Sequence, residues 1–250
     1  ILKMIMKYKR TTITLFLMLL LIQIITVACT QTNDNRDERF VTFIADPVSD
    51  DLQFYWRNDT GKIIRSIENL KVYVESKNMK LRFATNGGMY DKQRNPLGLF
   101  IQNERLFKPL DTADGNGNFY MKPNGVFYIT NDKKATVCKT EDFVSSRNIK
   151  YATQSGPMLV IDGQIHPQFR QGSQNVNIRN GVGILPDGKV LFAMSKKEIN
   201  FYDFALYFQS MGCDNALYLD GYVSRKYLPE KDWAQTDGDF GVIIAITDED

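Results

Sequence analysis

From Phe40 onward the chain consists of short apolar runs, each of strand length and each ended by glycine, proline, asparagine or aspartate. Such runs are typical of buried strands bounded by turns. No internal repeat, low-complexity block or flexible linker divides them. The pattern therefore predicts one α/β (α+β mixed) domain over residues 39–247, with a mixed β-sheet and a few packed helices. The predicted strands are 39–44, 52–56, 81–85, 158–161, 190–194, 216–219 and 242–246.

Two segments carry a helical pattern instead. Segment 64–77 suits either a strand or a helix, and the apolar spacing favours the helix. Segment 201–212 predicts a second helix. The apolar residues expected to face inward are Ile64, Ile67, Leu70 and Val74 in the first helix, and Phe204, Leu206, Tyr207, Phe208 and Met211 in the second.

Turn chemistry places the connections between strands. Residues 97–107 predict a hairpin around Asn103-Glu104, and residues 119–129 predict a strand, a turn and a second strand. The polar, glycine-containing segment 111–118 predicts a loop long enough to border a site.

The amino terminus has the composition of a targeting segment. A basic stretch, 6–10, precedes an apolar stretch, 15–22, and Thr26-Val-Ala-Cys29 follows. The small residue before Cys29 resembles a bacterial lipoprotein cleavage site, although Thr26 stands where leucine is usual. Residues 1–29 are therefore predicted to be a signal peptide with lipidation at Cys29, and 30–38 a polar tether. A plain signal peptide and an uncleaved anchor remain as alternatives.

Composition restricts the chemistry. The net charge is +2 with dispersed basic residues, which argues against nucleic-acid binding. The single histidine, His166, excludes a metal site that needs several imidazoles and is expected at the surface, before Pro167. It is the sole candidate base for Ser155, so a Ser-His hydrolase is disfavoured. Cys138 and Cys213 either form a disulfide or, as the favoured alternative, remain buried thiols.

Polar residues stand at the ends of several apolar runs. Asp220-Gly221 closes the run 216–219, and a carboxylate in that position is either a turn residue or part of a site. The other strand-end residues can each be explained as turn or ion-pair residues, but as a set they favour a site. They are Asn86, Lys122, Asn124, Ser155 and Arg179.

Five segments, in order, resemble the phosphodiester glycosidase (NAGPA-type) family. They are 86–90, 121–127, 155–160, 178–183 and 215–221. The resemblance runs from about Phe40 to Ile246 and implies the mixed α/β fold of that family. It also implies a glycosyl phosphodiester substrate. Bacterial members are widely exported or lipid-anchored, so the resemblance implies a place in the bacterial cell envelope.

The family motifs assign roles to individual residues. Asn86 and Gly87 match an Asn-Gly motif, Arg179 matches an arginine motif, and Asp220 with Gly221 match a Leu-Asp-Gly motif. Many members continue with a second glycine and a serine, whereas Tyr222 and Val223 follow here. This departure puts the identity of the substrate in doubt, and Tyr222 is predicted to line the pocket.

The proposed chemistry suits these residue types. Hydrolysis of the sugar C1–O bond expels a phosphate monoester, which is already a good leaving group. Arg179, and Lys122 beside it, are predicted to hold the phosphate. Asp220 is predicted to stabilise the oxocarbenium-like transition state or to activate water. Asn86, Asn124, Ser155 and backbone amides at glycine turns are predicted to hold the sugar.

The prediction is thus an enzyme that cleaves sugar-1-phosphodiesters of the N-acetylglucosamine type. It needs no cofactor and leaves open a divalent metal on the phosphate. Its expected partners are the carbohydrate substrate and, through the lipid, the membrane; the oligomeric state is left open. One alternative is a non-catalytic glycan-binding lipoprotein of the cell envelope. A second is a structural protein with an accidental polar cleft.

Overall fold

The structure, a computed structural model, describes residues 37–221 and 223–249. Residues 39–250 cluster as one compact unit. The predicted signal peptide, Cys29 and nearly all of the tether lie outside the described residues and stay predictions, as does Tyr222. Within the described part of the chain, no helix is long and apolar enough to cross a membrane.

In the described part of the chain, sixteen strands form three sheets, and two α-helices pack on them. The first sheet has the order β1-β12-β11-β13-β9-β10, the second β15-β14-β3-β16-β2, and the third β5-β4-β8-β6-β7. The strands are β1 Phe40–Ala45, β2 Leu52–Tyr55, β3 Met79–Asn86, β4 Phe100–Gln102, β5 Arg105–Lys108, β6 Gly125–Thr130, β7 Ala135–Lys139, β8 Ile149–Ser155, β9 Met158–Ile161, β10 Gln164–Ile165, β11 Asn180–Ile184, β12 Val190–Ser195, β13 Ala216–Tyr218, β14 Lys226–Leu228, β15 Trp233–Ala234 and β16 Ile243–Glu249. The helices are α1 Ile67–Glu75 and α2 Phe201–Ser210.

The strand pairings correct the predicted fold class. Every pairing between described strands is antiparallel, so the sheets are not mixed. Strands dominate the domain, and the α/β label was therefore too loose. Antiparallel strands are joined by short turns and need no crossover helices, which explains why so few helices suffice.

The central core lies between the three sheets. Phe54, Phe83, Phe127 and Phe192 are fully buried there and pack in tilted or edge-to-face pairs at ring-centroid distances of 5.1–6.0 Å. The two helices cover the outer faces. Helix α1 packs on the second sheet, and α2 packs on the first.

Both predicted helices are present, with one error in the buried face of the second. Ser66 caps α1 by accepting a hydrogen bond from the Asn69 amide at 3.1 Å, and the four residues predicted to face inward are buried. In α2, Leu206 is 41% exposed, because it lies on the opposite face of the helix from the buried Phe204 and Phe208.

The segment 119–129 also differs from its prediction. Asn118–Tyr120 form a 3-10 helix, and only the second predicted strand is present, as β6. Phe119 is buried and its carbonyl accepts the Asn124 amide at 2.8 Å, so this turn is fixed by a side chain. The hairpin at Asn103-Glu104 is confirmed as β4–β5. Cys138 and Cys213 are free thiols; Cys213 is buried, as predicted, and Cys138 is half-buried.

Lys226 lies in the core between the first and second sheets. It is 0% exposed, and its ammonium donates to the Val41 carbonyl at 3.2 Å and lies 5.8 Å from the Phe83 ring. Burial holds the pKa of Lys226 well below its ordinary value of 10.5, and the charge of Lys231 adds to this shift. The folded protein therefore disfavours a proton that the unfolded chain binds.

Replacing Lys226 with methionine is expected to raise the free energy of unfolding at pH 7 by about 1–4 kcal/mol, because an apolar side chain of similar length fits a core without desolvating a charge. The wild-type protein gains stability as the pH rises from the folded-state pKa of Lys226 towards 10.5, and the methionine variant lacks that gain. Urea denaturation should show a smaller difference in the free energy of unfolding between the two proteins at pH 10 than at pH 7.

Lys62 provides the control for this substitution. Its side chain is exposed, and it is not among the residues that shift the pKa of Lys226. Lys62→Met should change the free energy of unfolding by no more than about 0.5 kcal/mol. A Lys226→Met protein that is no more stable than wild type at pH 7 would contradict the expectation.

Candidate active site

The ends of three strands bring predicted site residues together. Asn86 ends β3, Arg179 precedes β11, and Asp220 follows β13. The Asp220 amide donates to the Gly87 carbonyl at 3.1 Å, and the Leu219 amide donates to the Asn180 carbonyl at 2.9 Å. The Asn-Gly turn and the Leu-Asp-Gly turn are therefore direct neighbours, although 134 positions separate Asn86 from Asp220.

The side chain of Asn86 is committed to the protein itself. It is 1% exposed, its Nδ2 donates to the Asp220 carbonyl, and its Oδ1 accepts the Arg225 amide at 2.9 Å. Asn180 Nδ2 donates to the Asn86 carbonyl at 2.8 Å. This network fixes the backbone of the Asp220 turn, so Asn86 positions the turn; the sugar contact predicted for its amide has no counterpart in this geometry.

Gly87 allows close packing against β16 of its own sheet, and Gly88 allows close packing against β8 of the third sheet. A Cβ atom at Gly87 would lie 2.8 Å from Val242 Cγ1, and one at Gly88 would lie 2.6 Å from the Gln154 carbonyl. Both distances are shorter than packed atoms tolerate, which explains the pair of glycines. The turn after β3 is thereby held against the end of β8.

Arg179 is a buried cation. Its guanidinium carbon lies 3.5 Å from the centroid of the Phe201 ring, and the side chain is 1% exposed. Nε donates to the Ile199 carbonyl at 2.7 Å, and Nη2 donates to the Asn175 carbonyl at 2.8 Å. Burial lowers the pKa of Arg179 from its usual value, and the nearby Tyr218 partly offsets this. Arginine nevertheless stays charged in proteins.

No carboxylate neutralises this charge directly. Among the residues that the structure describes, no Asp or Glu oxygen lies within 4.0 Å of Arg179. Two carbonyls and one aromatic face are the main compensation. A buried cation with this environment favours an anionic ligand, because a buried charge is costly without a partner.

Tyr218 connects Arg179 to the Asp220 turn. Its hydroxyl lies 3.5 Å from Arg179 Nη1, and the side chain is 2% exposed. Burial raises the pKa of Tyr218 to about 12; Arg179 opposes this shift and Asp220 adds to it. Tyr218 is therefore a neutral phenol near pH 7. A Cβ atom at Gly221 would overlap its hydroxyl, so glycine is needed there.

Replacing Gly221 with alanine is expected to destabilise the protein by about 1–3 kcal/mol, because the new methyl group overlaps the Tyr218 hydroxyl. The same substitution in a Tyr218→Phe background should cost less, since the oxygen is gone. Urea denaturation of the four proteins of this double-mutant cycle measures the difference. An equal cost in both backgrounds would contradict the predicted overlap.

Asp220 is half-buried, and its charge acts on two tyrosines. Burial is the main cause that raises the pKa of both Tyr218 and Tyr90 to about 12, and the charge of Asp220 adds to the shift in each. The Tyr90 hydroxyl donates to the Asp239 carbonyl at 2.7 Å. Asp220 thus lies near two protonated phenols, on the same turn that Asn86 fixes.

The structure separates Lys122 from this cluster. Lys122 is exposed, and its ammonium lies 2.5 Å from Asp114 and 3.1 Å from the Thr112 carbonyl. It makes no contact with Arg179 among the described interactions. Asn124 is buried and packs against Gly156. The adjoining Pro157 carbonyl accepts the Tyr218 amide at 3.0 Å, so the Ser155–Pro157 segment does border the cluster.

Five buried polar side-chain atoms of the described residues have no hydrogen-bond partner. Two of them lie close to this cluster, the Ser155 hydroxyl and His166 Nε2. They consequently do not bond to each other, which agrees with the argument against a Ser-His hydrolase. The set of described residues also contains no group of three or more His, Cys, Asp or Glu side chains arranged to hold a metal ion.

His166 is buried, which corrects the expectation of a surface residue. It is 1% exposed, and its Nδ1 accepts the Gln168 amide at 3.2 Å. Its ring stacks on Phe169 at 4.7 Å, and Phe169 stacks on Phe201 at 4.9 Å. Burial lowers the pKa of His166, so the ring is neutral at pH 7. The histidine therefore supports the aromatic platform under Arg179.

Comparison with known proteins identifies the family that this chain resembles. The profile of the phosphodiester glycosidase (NAGPA) family matches residues 79–240, a range that contains Asn86, Arg179 and Asp220. The uncharacterised protein YigE of Escherichia coli (strain K12) is 37% identical over 187 residues, which cover 74% of this chain and 73% of YigE.

Solved structures share the fold at low sequence identity. The catalytic domain of zebrafish N-acetylglucosamine-1-phosphodiester alpha-N-acetylglucosaminidase, auto-inhibited by its pro-peptide, superposes with a TM-score of 0.59 at 16% identity, covering 84% of each chain. A hypothetical protein from Synechocystis gives a TM-score of 0.52 at 12% identity, covering 83% of this chain and 59% of the other. The resemblance drawn from the five sequence segments is confirmed, and the chain belongs to the phosphodiester glycosidase (NAGPA) family.

Proposed function

We propose that this protein hydrolyses the glycosidic bond of a sugar-1-phosphodiester of the N-acetylglucosamine type, releasing the sugar and a phosphate monoester. Family membership supports a glycosidase that acts on phosphodiesters. The observation that carries the proposal is the buried guanidinium of Arg179, which pairs with no carboxylate of the described residues and is joined through Tyr218 to the turn that bears Asp220. The guanidinium of Arg179 thus offers a binding site for an anion close to the carboxyl group of Asp220.

Arg179 supports departure of the phosphate. As the C1–O bond breaks, negative charge grows on the leaving phosphate, and a fixed cation in a low-dielectric site stabilises that charge. Arg179 Nη2 donates to the Asn175 carbonyl at 2.8 Å, and the side-chain oxygen of Asn175 lies 3.4 Å from the same nitrogen. Phosphate binding therefore requires the phosphate oxygens to replace the Asn175 contacts, which ties binding to movement of the exposed residues around Asn175.

Asp220 acts at the sugar. A carboxylate near C1 stabilises positive charge in an oxocarbenium-like transition state or takes a proton from the attacking water. Tyr218 remains protonated and donates or accepts a hydrogen bond beside both Arg179 and Asp220. Asn86 and Gly87 hold the Asp220 backbone in place, so their contribution is to positioning.

The direct experiment is incubation of the purified protein with synthetic N-acetylglucosamine 1-phosphodiesters. Release of free sugar and phosphate monoester in equal amounts, followed by proton and phosphorus NMR, is the expected result. Binding without release would favour the alternative, a glycan-binding protein that lacks turnover. The absence of both binding and release across such a panel would overturn the proposed function.

A further inference from the structure

A cavity of about 370 Å³ lies next to Asn124, and the proposed reaction makes no use of it. Its volume suits a small ligand. Its lining contains two basic side chains, one acidic side chain and four others. These residues are Thr112, Lys122, Pro123, Asn124, Lys139, Thr140 and Glu141.

The carboxylate partners of the two lysines in the cavity are all exposed, and the other partner of Lys122 is the Thr112 carbonyl at 3.1 Å. Lys122 lies 2.5 Å from Asp114, whose side chain is 94% exposed. Lys139 lies 3.2 Å from Glu141 and 3.1 Å from Asp142, which are 71% and 54% exposed. Exposed ion pairs of this kind are weak because water screens them and both side chains lose freedom. An incoming anion can therefore replace these partners.

The polar floor of the cavity is rigid. Thr140 and Asn124 are 8% and 3% exposed, and the Thr140 amide donates to the Asn124 carbonyl at 2.9 Å. Asn124 Nδ2 donates to the Phe119 carbonyl at 2.8 Å, and Gln154 Nε2 donates to Thr140 Oγ1 at 3.1 Å. Buried hydrogen bonds hold the floor in one arrangement, which lowers the cost of ordering it around a ligand.

The cavity adjoins the candidate active site through Asn124. Gly156 packs so closely on Asn124 that a Cβ atom there would lie 2.6 Å from Asn124 Cβ. The next residue, Pro157, accepts the Tyr218 amide through its carbonyl at 3.0 Å. A single short segment thus separates the lysine cavity from the strand that carries Tyr218 and leads to Asp220.

We propose that this cavity binds a second phosphate group of the substrate, distinct from the phosphodiester that is cleaved. The inference rests on the proposed function and narrows its substrate to a glycosyl phosphodiester that carries another phosphate, as a chain of repeating phosphodiesters does. Lys122 and Lys139 supply two cationic donors, and the hydroxyl of Thr112 adds a neutral donor. Lys122 thus binds the second phosphate group in this proposal, whereas the sequence predicted that it binds the phosphate of the cleaved phosphodiester.

The first test measures binding without turnover. Inorganic phosphate is titrated into the whole protein while the backbone amide signals of Thr140 and Asn124 are followed by NMR. We expect a saturable shift that is about tenfold weaker in affinity in Lys139→Gln, because a charged hydrogen bond to the anion is lost. Glu141→Gln should bind about threefold more tightly, since it frees Lys139 and removes a like charge.

Lys189→Gln is the matched control, because Lys189 is an exposed lysine that pairs with Asp187 in the turn before β12, outside the cavity. The affinity of the Lys189→Gln protein for phosphate should equal that of wild type. The proposal is overturned if phosphate causes no saturable shift at Thr140. It is also overturned if Lys139→Gln and Lys189→Gln respond alike.

The second test uses turnover and separates the two proposals. Two synthetic N-acetylglucosamine 1-phosphodiesters are compared, one with a phosphate on the aglycone and one with a hydroxyl group in its place. The wild type should prefer the first by about tenfold in kcat/KM, and Lys139→Gln should lose this preference. If neither compound is cleaved while the Thr140 signal still reports phosphate binding, the proposed function fails and the phosphate cavity stands.

Discussion

Replacing Asp220 with asparagine is expected to lower kcat for a sugar-1-phosphodiester by about 1,000-fold and to leave substrate binding nearly unchanged. Asparagine has the shape of aspartate but carries no negative charge and accepts no proton, so it neither stabilises an oxocarbenium-like transition state nor activates water. The backbone contacts of the turn, made by Asn86 and Gly87, do not depend on the carboxylate. Initial rates and substrate titration by NMR measure the two effects separately.

Asp214→Asn provides a matched control for this experiment. Asp214 precedes β13 at the end opposite Asp220, and its side chain is exposed. Its substitution should leave kcat within about twofold of wild type, as expected for a surface position. Wild-type turnover in Asp220→Asn would remove Asp220 from the reaction, and loss of both binding and turnover would assign it to binding alone.

Local periodicity was enough to predict much of the fold. Ile64, just before α1, and Ile67, Leu70 and Val74 within it recur at helical spacing, and all four are buried. Ser66, a strong capping residue, begins the helix. Short-range signals of this kind depend only on neighbours in sequence, and these segments were accordingly predicted with the correct type.

Features that depend on distant partners were not predictable in this way. The short strands β14 and β15 lack a clear alternation, and β14 places a lysine, Lys226, in a buried position against β3. In 118–120, a hydrogen bond from Asn124 to the Phe119 carbonyl stabilises a 3-10 turn where apolar residues indicated a strand. Both outcomes are fixed by tertiary contacts that local propensity does not contain.

The candidate site also combines residues that local sequence indicates with residues whose role depends on distant contacts. The strand-end motifs predicted Asn86, Arg179 and Asp220 as site residues, since glycine-flanked polar residues after buried strands mark turns at sheet ends. In the structure Asn86 donates to the Asp220 carbonyl, and Arg179 contacts Tyr218. Tyr218 was missed because it stands within an apolar run and looks like a core residue. Its separation from Arg179 by 39 positions left no local signal that its hydroxyl meets the guanidinium.

Lys122 and His166 illustrate limits of another kind. Each precedes or adjoins a proline in a loop-like segment, and such segments are usually exposed. The aromatic stack from Phe169 to Phe201 buries His166, and the loop at Asp114 attracts the Lys122 ammonium away from Arg179. Direction of a side chain at a turn is set by the elements packed around it, and the sequence of the turn alone does not specify it.

Replacing Arg179 with lysine is expected to lower kcat/KM for a sugar-1-phosphodiester by about 100-fold. Lysine keeps the charge but loses the planar fork that binds two phosphate oxygens and stacks on Phe201. With a neutral aryl N-acetylglucosaminide the loss should stay below about threefold, because no phosphate is present to be recognised. Steady-state rates on both substrates measure the two effects.

Arg57→Lys separates loss of phosphate recognition from loss of arginine stacking. Arg57 also lies over an aromatic ring, with its guanidinium carbon 4.1 Å from the Trp56 centroid, and its Nη1 donates to the Gly61 carbonyl. Its substitution should leave both rates unchanged, whereas Arg179→Lys should lose the phosphodiester rate while urea denaturation shows a folded protein. Equal losses on charged and neutral substrates in Arg179→Lys would mean that Arg179 supports the architecture of the site and not the phosphate. Because Arg179 is compensated by carbonyls that an anion can replace, we expect the unequal result.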